Sequence, residues 1–250
     1  MALFETESLI LKTYPLAEAD KIVVFLTQNN GLVRGVAKGA KRLKSRFGGG
    51  LEPFSIVNLT FYQKEERELV SISQIDLQKS FFESASNPLF LQKFAYLAEL
   101  LSEFVPPHEP NERIYRMTRI CLETAAENPE ILEAVALYFE IWLLRLGGYL
   151  PSWEKCDNCK RQFAAMENAS VQVNFHLLCE NCQLVKNRNL ISADLRKIYS
   201  VAQTLSPAKF AALTGGKAEE IKEVSGILKR LIAHILGKEL KNDKILVAGL

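Results

Sequence analysis

The spacing of apolar residues changes near residue 87, from every second position to every third or fourth. Before that point, five short segments are apolar or alternate between apolar and polar residues, which is typical of β-strands. They are Ser8–Tyr14, Ile22–Thr27, Leu32–Lys38, Val57–Tyr62 and Leu69–Ile75. Asn30-Gly31 separates two of them, and this pair favours a tight hairpin. Five short strands within about 80 residues predict a small closed or partly open barrel such as the OB-fold.

Beyond residue 87, an apolar period of 3.6 residues predicts helices. The third predicted helix is apolar on nearly every side, so we expect it at the centre of a helical domain. The predicted helices span Pro88–Phe104, Glu112–Ala126, Ile131–Leu146, Ser192–Leu205, Pro207–Leu213 and Glu219–Leu236. The fold class is therefore α+β with several domains: an OB-fold barrel over 1–80, a helical domain over 81–153 and 191–250, and an inserted module over 154–190.

The inserted module carries two Cys-x-x-Cys pairs, Cys156 with Cys159 and Cys179 with Cys182. This spacing is typical of a four-thiolate zinc site, since each short spacer lets two sulfurs reach one ion. Two disulfides or four unrelated core cysteines are the alternatives. Four thiolates leave no coordination position for water, so the pattern favours one structural Zn²⁺ per chain. His176 is a weaker candidate ligand, because the alternation from Val171 onwards predicts a β-ribbon with His176 on its surface.

Positive charge is concentrated in the barrel sequence. The whole chain has a net charge of only +2, yet it contains no Asp or Glu between Lys21 and Leu51. A local excess of cations in a near-neutral protein indicates a polyanion-binding surface. Alternation places Arg34 and Lys38 on one face of the third strand. The candidate DNA-binding residues are Arg34, Lys38, Lys41, Arg42, Lys44 and Arg46.

Residues 39–50 are rich in glycine and basic residues, so we expect an exposed loop. Glycines expose backbone amides to phosphates, and single-strand binders add aromatic rings on which bases stack. Tyr14, Phe47 and Phe54 are the candidate rings. A solvated loop above aromatic residues of the barrel core is the alternative interpretation.

Catalysis finds little support in the sequence. It contains no phosphate-binding loop, no nucleophile elbow and no His-Glu-x-x-His motif. Its three histidines fall in separate segments, and Cys121 follows the apolar side of a helix. No apolar run is long enough to span a bilayer, and the acidic N-terminus does not resemble a signal peptide. Unpaired cysteines suit a reducing compartment, so we expect a cytoplasmic protein.

Several segments in a fixed order resemble the RecO family of bacterial recombination mediators. Each segment is modestly specific, whereas their order along one chain is much more so. The last of them runs directly into Cys156. The matching segments are Glu7–Lys12, Glu18–Lys21, Gly31–Lys41 and Leu143–Pro151, followed by the two cysteine pairs.

The resemblance implies a DNA repair protein that binds single- and double-stranded DNA and anneals complementary strands. It also implies partners: RecR, the acidic and apolar C-terminal tail of single-stranded DNA-binding protein (SSB), and, indirectly, the RecA filament loaded onto SSB-coated strands. The segment from Arg34 to Arg46 matches the family's DNA-binding loop region. Some family members lack the cysteines, which is consistent with a structural role for zinc.

Two other functions fit parts of the sequence. A zinc-ribbon adaptor would bind proteins only, with the basic segment facing an acidic partner. A zinc hydrolase would need an open metal position. Cations near the cysteines could contact DNA or form a solvated rim; they are Lys155, Lys160, Arg161, Lys186 and Arg188.

Overall fold

The computed structural model describes residues 2–64, 67–183 and 190–242. Lys186 and Arg188, named above, lie outside the described residues, as do Glu65 and Glu66. The chain divides into two compact units, Met1–Pro129 with Leu240–Leu250, and Glu130–Glu239. The domain boundaries expected at 81, 154 and 191 stay a prediction.

The first unit contains a closed five-stranded barrel, as the sequence predicted, with the strand order β1-β2-β3-β5-β4. The first strand is long enough to pair with β4 through its first half and with β2 through its second half. An irregularity in the register between Ile10 and Lys12 lets the strand bend around the barrel. The strands are β1 (Ala2–Leu16), β2 (Asp20–Thr27), β3 (Gly31–Ala37), β4 (Ile56–Gln63) and β5 (Val70–Lys79).

A short parallel pairing closes the barrel. Gly35 of β3 lies opposite Val70 of β5, and Val36 lies opposite Ser71. Gly35 faces the interior, where an added Cβ would lie 2.8 Å from side-chain atoms of both Val70 and Ile72. Closure therefore places the connection between β4 and β5 beside the outer face of β3.

The connection between β3 and β4 differs from the fully exposed loop expected above. Its cationic first part is exposed, but Phe47 and Leu51 are buried and belong to the barrel core with Phe25 and Phe61. A 3₁₀ turn at Gly48–Leu51 brings Leu51 inward. The segment thus packs apolar residues into the barrel while leaving its charged residues in solvent.

Three helices complete the first unit as described: α1 (Phe82–Ala85), α2 (Pro88–Phe104) and α3 (Glu112–Glu127). The Asn87 side chain caps α2 by accepting a hydrogen bond from the Leu89 amide at 2.9 Å, which explains its start. On α3, Arg119 and the Tyr115 hydroxyl both bind Glu7 of β1. These contacts fasten α3 to the barrel.

The second unit contains α4 (Leu132–Leu146), α5 (Ala193–Ala202), α6 (Pro207–Leu213) and α7 (Ala218–Leu236). The central helix is α4, which packs against α5, α6 and α7, as its apolar sequence predicted. Ser192 caps α5, and Gly237 ends α7 in the left-handed conformation with φ 65°. Among the described residues, no helix combines the length and apolar content needed to cross a bilayer.

A small sheet of the order β7-β6-β8 lies between α4 and α5 in sequence. Its strands are β6 (Ala169–Val171), β7 (Leu177–Leu178) and β8 (Leu190–Ile191). The ribbon predicted to run through Val171, Val173 and Phe175 is wrong beyond Val171. The Phe175 amide donates to the Gln172 carbonyl at 2.9 Å, and Phe175 has a φ of 64°, so a turn replaces the strand.

Replacing Gly31 with Ala should destabilise the first unit by about 3 kcal/mol or more. Gly31 has a φ of +66°, and an added Cβ would lie 2.1 Å from the Glu109 carbonyl oxygen. Gly48→Ala is the matched control, because Gly48 has a φ of +50° but no atom within 4 Å of an added Cβ. The control should cost about 1–2 kcal/mol. Urea unfolding measures both, and equal losses would contradict the close approach at Gly31.

Candidate nucleic-acid interface and metal centre

The outer face of β3 and the residue directly after the strand carry two of the six candidate DNA-binding cations. Arg34 and Lys38 are exposed, while Val33, Gly35 and Ala37 are buried, so the predicted alternation is confirmed. The Arg34 guanidinium lies 3.9 Å from the Glu68 carboxylate, and both side chains are largely exposed. Such a pair is weak, and phosphate can compete for the arginine.

The other four cations, Lys41, Arg42, Lys44 and Arg46, are exposed on the segment that follows β3. The start of this segment is held in place by the turn between β1 and β2. The Gly39 amide donates to the Asp20 carboxylate at 2.7 Å, and the Lys41 amide donates to the Ala19 carbonyl at 2.9 Å. Because these bonds fix the backbone, less conformational freedom is lost when the segment binds a ligand.

The six cations differ in their own contacts. Lys41 Nζ donates to the Ala17 carbonyl at 2.9 Å. Arg46 donates to the Ile72 carbonyl at 3.3 Å and lies 4.9 Å from the centre of the Phe47 ring, so it also supports the barrel. Within the described part of the chain, three of the six cations have side chains that form no hydrogen bond or ion pair; they are Lys38, Arg42 and Lys44.

Two of the three candidate stacking rings are unavailable. Phe47 and Phe54 are each 3% exposed, since one lies in the barrel core and the other packs edge-on against Phe94 at 5.8 Å. For these two rings the alternative interpretation, burial in the protein core, is confirmed, and they cannot stack on bases. Tyr14 is 49% exposed and remains accessible.

Sequence reasoning missed a groove beside β3. Its volume is about 650 Å³, and it is lined by Lys38 directly after β3, Tyr62 of β4, Lys64 directly after β4, and Arg67 before β5. Lys64 and Arg67 flank two glutamates in the sequence, so the four charges cancel and the segment does not stand out as basic. The barrel topology was the signal that could have found them, because the pairing of β3 with β5 places this turn beside Lys38.

The four cysteines of the two Cys-x-x-Cys pairs converge on one point, as predicted. Their sulfur atoms all lie within 4.8 Å of one another, and Cys159 Sγ lies 3.9 Å from Cys179 Sγ. In a tetrahedral site with Zn–S bonds of about 2.3 Å, neighbouring sulfurs are about 3.8 Å apart, so the cluster fits zinc. All four sulfurs gather around one point instead of forming two separate bonded pairs, which favours a metal site over the alternative of two disulfides.

Local hydrogen bonds lower the pKa of one thiol of the cluster, Cys156. Burial alone would raise the pKa of Cys156, but backbone amides of Cys179, Cys159 and Asn158 donate to its sulfur and lower the pKa to about 6. Amides that stabilise a thiolate also suit a metal-bound sulfur, since the bound form is the thiolate. His176 lies outside the cluster, with Nδ1 3.7 Å from an Asp157 carboxylate oxygen, which agrees with the surface position preferred above.

Polar contacts hold the cysteine module together and fasten it to α5. Arg161 binds Glu167 through two hydrogen bonds of 2.8 and 2.6 Å, and this pairing lowers the pKa of Glu167 to about 2. Arg196 of α5 donates to the carbonyls of Ala164 and Glu167. Side-chain hydrogen bonds therefore stabilise the module in addition to its cysteine cluster.

Trp153, just before the first Cys-x-x-Cys pair, anchors the module through its ring. It stacks on Tyr199 of α5 with ring centres 4.0 Å apart, and its indole N–H donates to the Phe175 carbonyl at 3.1 Å. Trp153 is almost fully buried, so it links the ribbon to the helical core. These contacts indicate a structural role for the cysteine cluster and the module around it.

Comparisons with known proteins cover both units. Residues 1–81 match the family described as "Recombination protein O N terminal", and residues 94–244 match "Recombination protein O C terminal". The second match alone spans more than half of the chain.

Full-length relatives give the same result. The chain is 27% identical over 247 residues to "DNA repair protein RecO" of Koribacter versatilis, covering 98% of this chain and 97% of that protein. It is 30% identical over 243 residues to the protein of that name from Syntrophobacter fumaroxidans, covering 96% of each chain. It is 28% identical to the one from Syntrophus aciditrophicus, covering 98% of this chain and 95% of that protein.

Proposed function

This chain belongs to the recombination protein O family, and we propose that it acts in DNA repair and recombination by binding single- and double-stranded DNA through the outer face of its barrel. One observation carries the proposal: the surface formed by β3 and residues 38–46 presents six exposed cations. Phosphate neutralisation by such a surface binds DNA without sequence preference. We call this the basic surface: Arg34, Lys38, Lys41, Arg42, Lys44 and Arg46.

On the basic surface, the protein holds one strand while a complementary strand pairs with it. Neutralised phosphates lower the repulsion between the two backbones, which favours annealing. With RecR, the protein then helps to load RecA onto strands coated with SSB, and the C-terminal tail of SSB recruits it. No bond is made or broken by the chain itself in this mechanism, so it is a binding protein rather than an enzyme, working at the nucleoid in the cytoplasm.

The metal of the cysteine cluster is Zn²⁺ in this proposal, held by Cys156, Cys159, Cys179 and Cys182. Four thiolates complete its coordination, so the ion supplies structure and no open position for water. A zinc hydrolase needs an open coordination position for water, and four thiolates leave none. A protein-only adaptor would have the same metal site and would turn the basic surface towards an acidic protein, so a measurement of DNA binding separates the two functions.

Strand annealing tests the proposed function directly. We expect the protein to anneal complementary oligonucleotides coated with SSB, and to do so more slowly when SSB lacks its C-terminal tail. Fluorescence energy transfer between labels on the two strands measures the rate. A protein-only adaptor would bind the SSB tail yet leave the annealing rate of bare strands at the protein-free value, and that result would refute the proposal.

A further inference from the structure

The groove beside β3 differs from the rest of the basic surface because it combines an aromatic ring with flanking cations. Its floor is formed by outward-facing residues of three neighbouring strands, since Val36 pairs with Ser71 and Ser71 pairs with Tyr62. Paired residues share one face of a sheet, so these side chains all point out of the barrel. Tyr62 is half-buried and lines the groove.

The walls of the groove provide two kinds of chemistry. Val36, Leu69 and the Tyr62 ring offer apolar surface, while Lys38, Lys64 and Arg67 are exposed and supply positive charge. Glu68 also lines the groove, but its carboxylate lies 3.9 Å from Arg34. An apolar recess flanked by cations fits a ligand that has a flat aromatic part and a phosphate, which is the chemistry of a nucleotide.

Size and topology favour a single unpaired nucleotide over duplex DNA. A volume of about 650 Å³ falls in the range of sites that enclose a small ligand. In a duplex the base faces are already stacked on their neighbours, so no face is free to meet the tyrosine ring. Phosphates of a duplex can still contact the cations of the basic surface.

We infer that this groove binds one unpaired nucleotide of single-stranded DNA, with its base stacked on the Tyr62 ring and its phosphates near Lys38, Lys64 and Arg67. The inference rests on the proposed function, since it assumes that the neighbouring basic surface binds DNA. It divides the interface into two parts. The cations serve both forms of DNA, and the Tyr62 groove serves single strands.

Within the described residues the Tyr62 hydroxyl forms no hydrogen bond. Loss of the hydroxyl alone should therefore leave the barrel intact. Stacking depends on the ring and not on the hydroxyl. Tyr62→Phe keeps the ring, whereas Tyr62→Ala removes it. Tyr14→Ala removes another accessible tyrosine of the barrel, one that does not line the groove.

The test measures the affinity of full-length protein and each variant for a fluorescent oligothymidylate and for a duplex of unrelated sequence, at one salt concentration. Tyr62→Ala should weaken single-strand binding by about 5- to 100-fold, since stacking on an aromatic side chain contributes that much per base. Its duplex affinity should be unchanged. Tyr62→Phe should keep the affinity of the unaltered protein for single strands, and Tyr14→Ala tests the competing candidate ring on β1.

The outcomes separate this inference from the function on which it depends. If Tyr62→Ala binds single strands as tightly as the unaltered protein, or loses duplex binding equally, the inference is wrong while the proposed function stands. A loss in Tyr14→Ala without one in Tyr62→Ala would assign the stacking ring to β1 instead. If the unaltered protein binds neither DNA, the proposed function itself fails. Far-UV circular dichroism and urea unfolding confirm that each variant folds.

Discussion

Replacing Lys38, Arg42 and Lys44 together with Ala will weaken single-stranded DNA binding about 50-fold at 0.15 M salt. Each contact with a single strand releases about 0.7 of a counterion, so three lost contacts reduce the binding constant by the salt concentration raised to about the second power. The side chains of these three cations form no hydrogen bond or ion pair in the described part of the chain, so truncating them should leave the fold unchanged. Fluorescence anisotropy with a labelled oligonucleotide measures the loss.

A matched control removes the same charge elsewhere. Lys209, Lys222 and Arg230 are exposed on α6 and α7 of the second unit, and replacing them with Ala also lowers the net charge by three. This control should bind DNA as the unaltered protein does. If both triple variants lose the same affinity, binding depends on net charge rather than on the basic surface. Arg46 is left out because its bonds to Ile72 and Phe47 make its loss a structural change as well.

Replacing Cys179 and Cys182 together with Ser will abolish metal binding and unfold the module between α4 and α5. Metal binding in small structural zinc sites contributes about 10–16 kcal/mol to folding, and two remaining thiolates cannot complete the tetrahedron. Elemental analysis should find one zinc per chain in the unaltered protein and none in the variant. Hydrogen exchange should show lost protection for the described residues of the module, while the barrel strands stay protected.

Cys121→Ala is the control for the metal centre. Cys121 is buried on α3, where burial raises the pKa of its thiol, and it lies outside the cysteine cluster. This variant should keep one zinc per chain. The double serine variant should also keep its single-strand affinity, because the residues proposed to bind DNA lie on the barrel. Retained protection in the metal-free module would show that zinc is not needed for its fold.

Much of the architecture was predictable because local chemistry agrees with the final fold. The change of apolar period near residue 87 located the first long helix, which Asn87 caps, and the helix expected from Ser192 begins there with Ser192 as its cap. The alternation around Arg34 identified its exposed face, and the cysteine spacing alone predicted the cluster. In these cases the deciding interactions join residues that are close in sequence, or residues with an unmistakable pattern.

The failures concern contacts between residues far apart in sequence and one local turn. Phe47 lies among glycines and cations, so nothing nearby indicates that the barrel needs its ring as a core residue. Val173 and Phe175 continue an alternation, yet the chain must turn there to pair β6 with β7. Lys64 and Arg67 gain their place in the candidate interface from the pairing of β3 with β5, which only the closed barrel reveals.

The most direct test of DNA binding by the basic surface is a salt titration of single-stranded DNA binding, with the unaltered protein and the Lys38, Arg42, Lys44 triple variant compared. The logarithm of the binding constant should fall linearly with the logarithm of salt concentration for both proteins. The slope for the triple variant should be smaller in magnitude by about 2, because three phosphate contacts are lost. Parallel lines for the two proteins, or no binding of the unaltered protein at low salt, would contradict the account.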